Sequence, residues 1–326
     1  DSKDAAGDKK VYNVVYIVNG NLGDKSFFDS GKEGLDMINE KYGDKFYTEV
    51  REMSYDTSVW ESTALDIASE GWDIIVLGTW DMMNIADQIA TKYPDSKLWF
   101  FDEMWDFEAM PHANIYDMFF AQNEGSYLVG MAAAMASKTG KISFMGGYEN
   151  TVLRDFAVGY TQGAKSVNPD IEVNVSWTQS FSDSSVGKDI SLGLYQQGFD
   201  VVFACCGNCG LGAFDAVVEM GDGHYVIGVD GDQGAYWTSL GETEKANATI
   251  TSMQKNVNNG FLRAAELHLN GKCPYGENEK LGLAVGGVGF AITDATESVL
   301  GKENLAEMAK AQENIISGTI IVDSAF

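Results

Sequence analysis

Short apolar runs, each closed by a glycine or an acidic residue and followed by an amphipathic stretch, recur from Val11 to Asp230. VYNVVYIVNG (11–20), rich in β-branched and aromatic residues, predicts a strand, with a helix from Ser26 to Tyr42 behind it. KFYTEVREMSY (45–55), DIIVLGTW (73–80) and KLWFFDEM (97–104) predict three more strands, separated by helices over 58–71 and 83–94, the second stopped by Pro94. Near-continuous apolar strands alternating with helices imply a parallel sheet covered on both faces, an α/β fold.

The pattern then restarts. A helix over 125–140 precedes the strand KISFMGG (141–147), a helix from Arg154 to Ser166 and the strand IEVNVSWT (171–178). A helix over 185–198, the strand FDVVFACC (199–206), a helix from Gly212 to Met220 and the strand HYVIGVD (224–230) complete a second Rossmann-like set. The remainder predicts a strand over 245–252, a helix over 253–271, an extended Gly-rich segment over 281–292 and a last helix from Thr296 to Ser317. The expected organisation is a tether over 1–10, a first lobe of 11–121 plus 253–285, and a second lobe of 122–252 plus 286–326. Three crossings would join the lobes as a hinge flanking a cleft.

In open α/β sheets ligands bind beyond the carboxyl ends of the strands. Those ends carry Asn19 to Phe28, Thr79, Trp80, Asp81 and Asp102, then Gly146, Gly147, Phe181 to Asp183, Gly207 to Gly212, and Asp230 with Asp232 and Gln233. The stretch GNLGDKSFFDSGKEGL (20–35) combines charges, adjacent phenylalanines and glycines in a way that suits neither a packing element nor a plain turn. Carboxylates accept from hydroxyl and amino groups and aromatic faces stack on flat rings, so a polar, ring-bearing ligand fits the set. No histidine stands beside a serine or cysteine of the set, which speaks against a nucleophilic triad. Blander roles compete: Asp24 or Ser26 as a helix cap, Phe27 and Phe28 as core anchors, Asp102 and Asp230 as turn formers, Lys255 as a solvated helix residue.

Charge narrows the partners. With 22 basic and 48 acidic residues the formal charge is −26, and the summed field repels phosphates and nucleic acid. No apolar run is long enough to span a membrane. Cys205, Cys206 and Cys209 fall within CCGNC, but no second Cys/His cluster completes a zinc site. Neither a metal nor a cofactor is expected.

GDKSFF with Gly34, EGSYLVGMAAAMASKTGKISFMGG, SFSD with Gly187, CGNCGLG, IGVDGDQ, ITSMQK and IISGTIIV occur in that order. On these pieces the chain resembles the basic membrane protein family of substrate-binding lipoproteins, which includes purine nucleoside receptors. The resemblance runs from Val11 to about Val322. It implies a type I periplasmic-binding-protein fold and an extracytoplasmic receptor of an ABC importer, tethered to the bacterial cell membrane by a lipid on a cysteine outside this sequence. The partners it implies are a membrane permease and its ATPase, with the receptor itself monomeric. The binding residues it implies are Asp24 and Phe28 in the first loop, Asp102, Gly207 and Gly210 in a glycine loop, Asp230 and Lys255. Asn19, Phe27 and Trp80 join them as strand-end neighbours. The family usually has Asn-Asp before the serine, Asn after the phenylalanine and AGGTG in the glycine loop; Gly23-Asp24, Phe28 and CGNCG depart from that pattern.

The expected function is capture of a purine nucleoside without chemistry. Alternatives are a nucleobase, flavin or sugar in the same fold, or a nucleoside hydrolase using clustered aspartates. The dispersal of the acidic residues over several strand ends speaks against the last.

Overall fold

A computed structural model describes residues 10–326; the segment read as a tether lies, but for Lys10, outside the described residues. The first elements are β1 (Tyr12–Val18), α1 (Phe27–Tyr42), β2 (Phe46–Glu52), α2 (Trp60–Ala68), β3 (Ile74–Gly78), α3 (Met83–Lys92), β4 (Lys97–Phe101) and β5 (Ile115–Phe120). Then come α4 (Gln122–Ala136), β6 (Lys141–Gly146), α5 (Thr151–Val167), β7 (Glu172–Trp177), α6 (Ser184–Gln196), β8 (Val201–Cys205), α7 (Gly207–Met220) and β9 (Tyr225–Asp230). The chain ends with α8 (Gln233–Ser239), α9 (Thr243–Ala248), β10 (Thr249–Lys255), α10 (Val257–Leu269), β11 (Glu277–Leu281), β12 (Val288–Phe290) and α11 (Asp294–Ile316).

Two six-stranded sheets result, ordered β11-β5-β4-β3-β1-β2 and β12-β10-β9-β8-β6-β7. β1 to β5 pair in parallel, as do β6 to β10, while β12 runs antiparallel to β10. The two-lobed α/β architecture predicted from the alternating pattern is the one observed. Unit 1 holds the residues up to Asn21, Gly31–Met118 and Gly260–Glu279; unit 2 holds Leu22–Ser30, Phe119–Asn259 and Lys280–Phe326.

In unit 1 the wholly buried IIVLG of β3 packs with Trp60, Ile67, Ile85 and Ile89 from α2 and α3. In unit 2, Val202 and Ala204 of β8 pack with Leu194 of α6 and Phe214 and Val217 of α7. Helix α4, apolar around its whole circumference, is buried as such a helix must be. Glycines on both helices let α4 and α5 approach closely: a Cβ on Gly163 of α5 would overlap the Tyr127 carbonyl oxygen, and one on Gly130 of α4 that of Tyr160.

Several boundaries differ from the sequence reading. β5 was not expected, because Asp117 interrupts its apolar run; the aspartate is nonetheless fully buried. α8, α9 and β11 were also missed. The strand expected over 245–252 begins only at Thr249 and continues through Met253, Gln254 and Lys255, which pair with β12. Lys255 is therefore the last residue of a buried strand and not a solvated helix residue. Helix α7 begins at Gly207, so CGNCGLG is a helical first turn and not a loop.

Candidate functional site

Each sheet reverses its winding direction once, between β1 and β3 in unit 1 and between β6 and β8 in unit 2, and such switch points are where open α/β sheets bind ligands. Backbone strain gathers beyond the same strand ends. Among the described residues, the non-glycine positions with positive φ are Lys25, Ser54, Thr79, Asp102, Gln179 and Asp230. Each lies at or just past the carboxyl end of a strand, or in the loop after β1. A left-handed conformation is costly for L residues, most of all for β-branched Thr79, and persists where surrounding structure enforces it.

In unit 1 the switch point is closed by side chains. Asn19, at the end of β1, donates from Nδ2 to Thr79 Oγ1 at 2.9 Å and to Asp81 Oδ1 at 3.1 Å. The Thr79 hydroxyl donates to the same Asp81 oxygen. Burial raises the Asp81 carboxyl above its ordinary range, the Thr79 bond opposes this, and nearby Asp102 adds to the rise. Asp102 has φ 71° and donates its N–H to the Met118 carbonyl at 3.1 Å. Trp80 opens a short 3-10 turn and is 45% exposed. Asn19, Trp80 and Asp102 are thus strand-end neighbours in one unit.

In unit 2 the first loop supplies a capped helix start. Both Asp24 oxygens are used by backbone: Oδ1 accepts from Ser26 and Asp29 at 3.1 Å each, and Oδ2 accepts from Phe28 at 2.8 Å. Asp24 is buried and caps α1, the blander of its two expected roles; burial raises its carboxyl while those backbone bonds pull it down. The loop lies against β9 and α8, with Lys25 Nζ 5.8 Å from the Tyr236 ring centre.

The adjacent phenylalanines divide. Phe28 is buried, whereas Phe27 is half-buried, their rings edge to face at 5.3 Å. Lys255, only 3% exposed, places its ammonium 4.8 Å from the centre of the Phe27 ring and 5.0 Å from that of Phe156 on α5. The same nitrogen is 4.0 Å from Asp230 Oδ1. Asp230 ends β9 with φ 63°. The helix that follows, α8, is capped by Asp232, whose carboxylate accepts from Ala235 N at 2.9 Å. A buried ammonium between two aromatic faces and beside a carboxylate is sustained by cation–π attraction and ion pairing together.

Gly207 and Gly210 share a helix turn but not an environment. Gly207 is half-buried with φ 56°, while Gly210 is buried, its absent Cβ 3.0 Å from the Ala204 carbonyl oxygen. Phe181 is a residue the strand-end list contained without a role. Its half-buried ring covers Gly147 so closely that a Cβ there would overlap it, and it meets the Tyr148 ring edge on at 5.5 Å. The small Gly147 just past the end of β6 was the signal for it. Among the described residues, no group of three or more His, Cys, Asp or Glu side chains is arranged to hold a metal ion.

The profile of the family described as ABC transporter substrate-binding protein PnrA-like matches residues 11–325. Basic membrane protein A of Borreliella burgdorferi is 32% identical over 318 residues, covering 97% of this chain and 88% of the relative. The ABC transporter nucleoside-binding protein BmpA of Lactococcus lactis subsp. cremoris is 32% identical over 321 residues, covering 95% and 88%. Among solved structures, an ABC transporter system solute-binding protein from Aeropyrum pernix K1 matches with a TM-score of 0.83, covering 96% of this chain and 94% of that one. At 24% identity that is a likeness of fold alone.

Proposed function

Because the chain belongs to the PnrA-like family of ABC transporter substrate-binding proteins and is a ligand receptor rather than an enzyme, we propose that its ligand is a purine nucleoside. The observation that carries the reading is the Lys255 ammonium, held between Phe27 and Phe156 and beside Asp230. Phe27, half-buried where Phe28 is buried, stacks the base, and Phe181 offers a second aromatic face. Asp230 accepts from ribose hydroxyls, while Lys255 keeps that carboxylate ionised and donates. In unit 1, Asn19, Trp80 and Asp102 stand at the strand ends beside which open α/β sheets bind ligands. Gly207 leaves room at the start of α7; Asp24 and Gly210 act through the backbone they shape. The nucleoside-binding name of the Lactococcus relative supports the ligand class.

The receptor hands its ligand to the permease of an ABC importer, whose ATPase drives uptake, and acts as a monomer at the outer face of the cell membrane, tethered by an N-terminal lipid. The names of the basic membrane protein relatives support the location. No helix of the described residues is long and apolar enough to cross a membrane.

Native mass spectrometry of the purified protein, then calorimetric titration with adenosine, guanosine, inosine, adenine, riboflavin and ribose, tests the reading. Tight nucleoside binding without turnover is the expected result. Equal affinity for adenine and adenosine would remove the ribose roles of Asp230 and Lys255. Preference for riboflavin or ribose would replace the ligand and leave the receptor class standing.

A further inference from the structure

Cys206 and Cys209 stand at the start of α7 in the sequence Cys206-Gly207-Asn208-Cys209. Cys206 is the residue before the helix, a place that normally calls for Ser, Thr, Asp or Asn, and its side chain makes no capping bond. The Cys209 N–H, which such a cap would serve, instead donates to the Phe181 carbonyl at 3.1 Å. Phe181 has thereby taken over the capping, and the Cys206 sulfur is turned to another partner. That partner is Cys209, which lies with Cys206 in one buried cluster of unit 2. This pairing brings the Cys209 thiol down to about 7, principally through the bond from Cys206, and raises the Cys206 thiol. Both side chains are buried, at 1% and 0% exposure.

We propose that Cys206 and Cys209 form a redox-active dithiol that closes to a disulfide across the first turn of α7 by exchange with a disulfide-bearing oxidant. Residues at these two helix positions face each other, as they do when a cap side chain reaches the third helical residue. A disulfide needs a Cβ separation of about 3.5–4.5 Å, somewhat shorter than the spacing along a helix face. Gly207, between them at φ 56°, is the residue able to absorb the adjustment.

The exchange is a two-electron transfer. The Cys209 thiolate attacks one sulfur of the oxidant, forming a mixed disulfide and expelling the other sulfur as thiolate. Cys206 then loses its proton to that thiolate and attacks the Cys209 sulfur, releasing the second thiolate, which is protonated from solvent. The two protein thiols are oxidised and the oxidant is reduced to two thiols. Because both sulfurs are buried, attack requires opening of the first turn of α7. The proposal is independent of the ligand assignment.

The test equilibrates the full chain, without oxygen, in mixtures of reduced and oxidised dithiothreitol, quenches with acid, and alkylates the unfolded chain with iodoacetamide. The expected result is that two of the four thiols escape alkylation at the oxidising end, the unalkylated protein is two hydrogens lighter, and peptide mapping places the bond between Cys206 and Cys209. A variant carrying Cys205→Ser and Cys273→Ser should still form the bond, and Cys209→Ser should not. Alkylation of all four thiols across the whole range, mild urea included, would overturn the proposal. So would a bond mapped to Cys205 or Cys273. Mapping on the parent chain decides the matter even if a variant fails to fold.

Discussion

Lys255 Nζ lies 4.0 Å from Asp230 Oδ1, with both side chains less than a tenth exposed. At that separation the attraction is coulombic rather than a hydrogen bond, and a ligand hydroxyl between the two groups would engage both. Asp230→Ala is expected to weaken nucleoside affinity at least about tenfold, the value of one charge-assisted hydrogen bond of about 1.5–3 kcal/mol. Removing one member of a fully buried ion pair also costs about 3–5 kcal/mol of stability. The pair variant Asp230→Asn with Lys255→Met should therefore recover stability in denaturant titrations while calorimetry still finds the affinity lost. Recovery of both together would mean the pair is structural only.

Phe27 and Phe28 should separate cleanly in a parallel experiment. Phe27→Leu keeps bulk but loses the flat face, so affinity should fall about fivefold, the equivalent of about 1 kcal/mol of aromatic contact, with the unfolding midpoint little changed. Phe28→Ala should lower stability by about 3 kcal/mol as a buried aromatic deletion. The opposite assignment of effects would return the stacking role to Phe28.

The alternation of strand and helix was legible because the strands are buried on both faces and so read as continuous apolar runs. β5 escaped because Asp117 breaks its run, and that carboxyl's burial is a tertiary fact no local pattern carries. The strand-end rule found the neighbourhood of the site, including Asn19, Asp102 and Asp230, since it depends only on where strands stop. Roles within it were less legible. Asp24 as cap and Asp24 as ligand contact have the same sequence, and only three backbone N–H groups converging on the carboxylate separate them. CGNCGLG looks like a loop because glycine is a poor helix former. Its last glycine, Gly212, answers to a neighbouring helix.

That last relationship can be tested at Gly212. A Cβ there would overlap the Ser184 carbonyl oxygen and come within 2.5 Å of the Lys188 amide nitrogen, both backbone atoms of α6 or its first turn. Gly212→Ala would favour an isolated helix by about 1 kcal/mol, yet forcing α6 and α7 apart costs about 1–3 kcal/mol. Net destabilisation in a urea titration is expected. A gain in stability would show that the two helices slide apart freely.

Asp24→Ala removes an acceptor for three N–H groups at the start of α1. A single cap contributes about 0.5–2 kcal/mol, and the loss should sit near the upper end because Asp24 is only 2% exposed. Amide exchange of Ser26, Phe28 and Asp29 should accelerate more than that of the rest of α1. Uniform acceleration along the helix would argue against a local capping role.

Asp117 gives the fold a pH dependence of predictable sign. Its Oδ2 accepts from Trp105 N at 3.0 Å, while Oδ1 is buried without a hydrogen-bond partner. Burial raises this carboxyl well above the usual range, and Glu103 and Asp102 add to the rise. A group whose folded pKa is raised holds its proton more tightly in the folded chain. Its stabilising contribution is complete below the unfolded value, about 4, and is lost as pH rises through the folded value. Asp117→Asn keeps the acceptor for Trp105 and takes up no proton. The variant and parent should therefore unfold with a constant offset at pH below about 4. The variant should then gain on the parent as pH rises, until the folded carboxyl itself ionises and the difference levels off. Comparing thermal midpoints of the two proteins across this range cancels the titration of every other group. A pH-independent offset would mean that Asp117 holds its proton no more tightly in the folded chain than in the unfolded one.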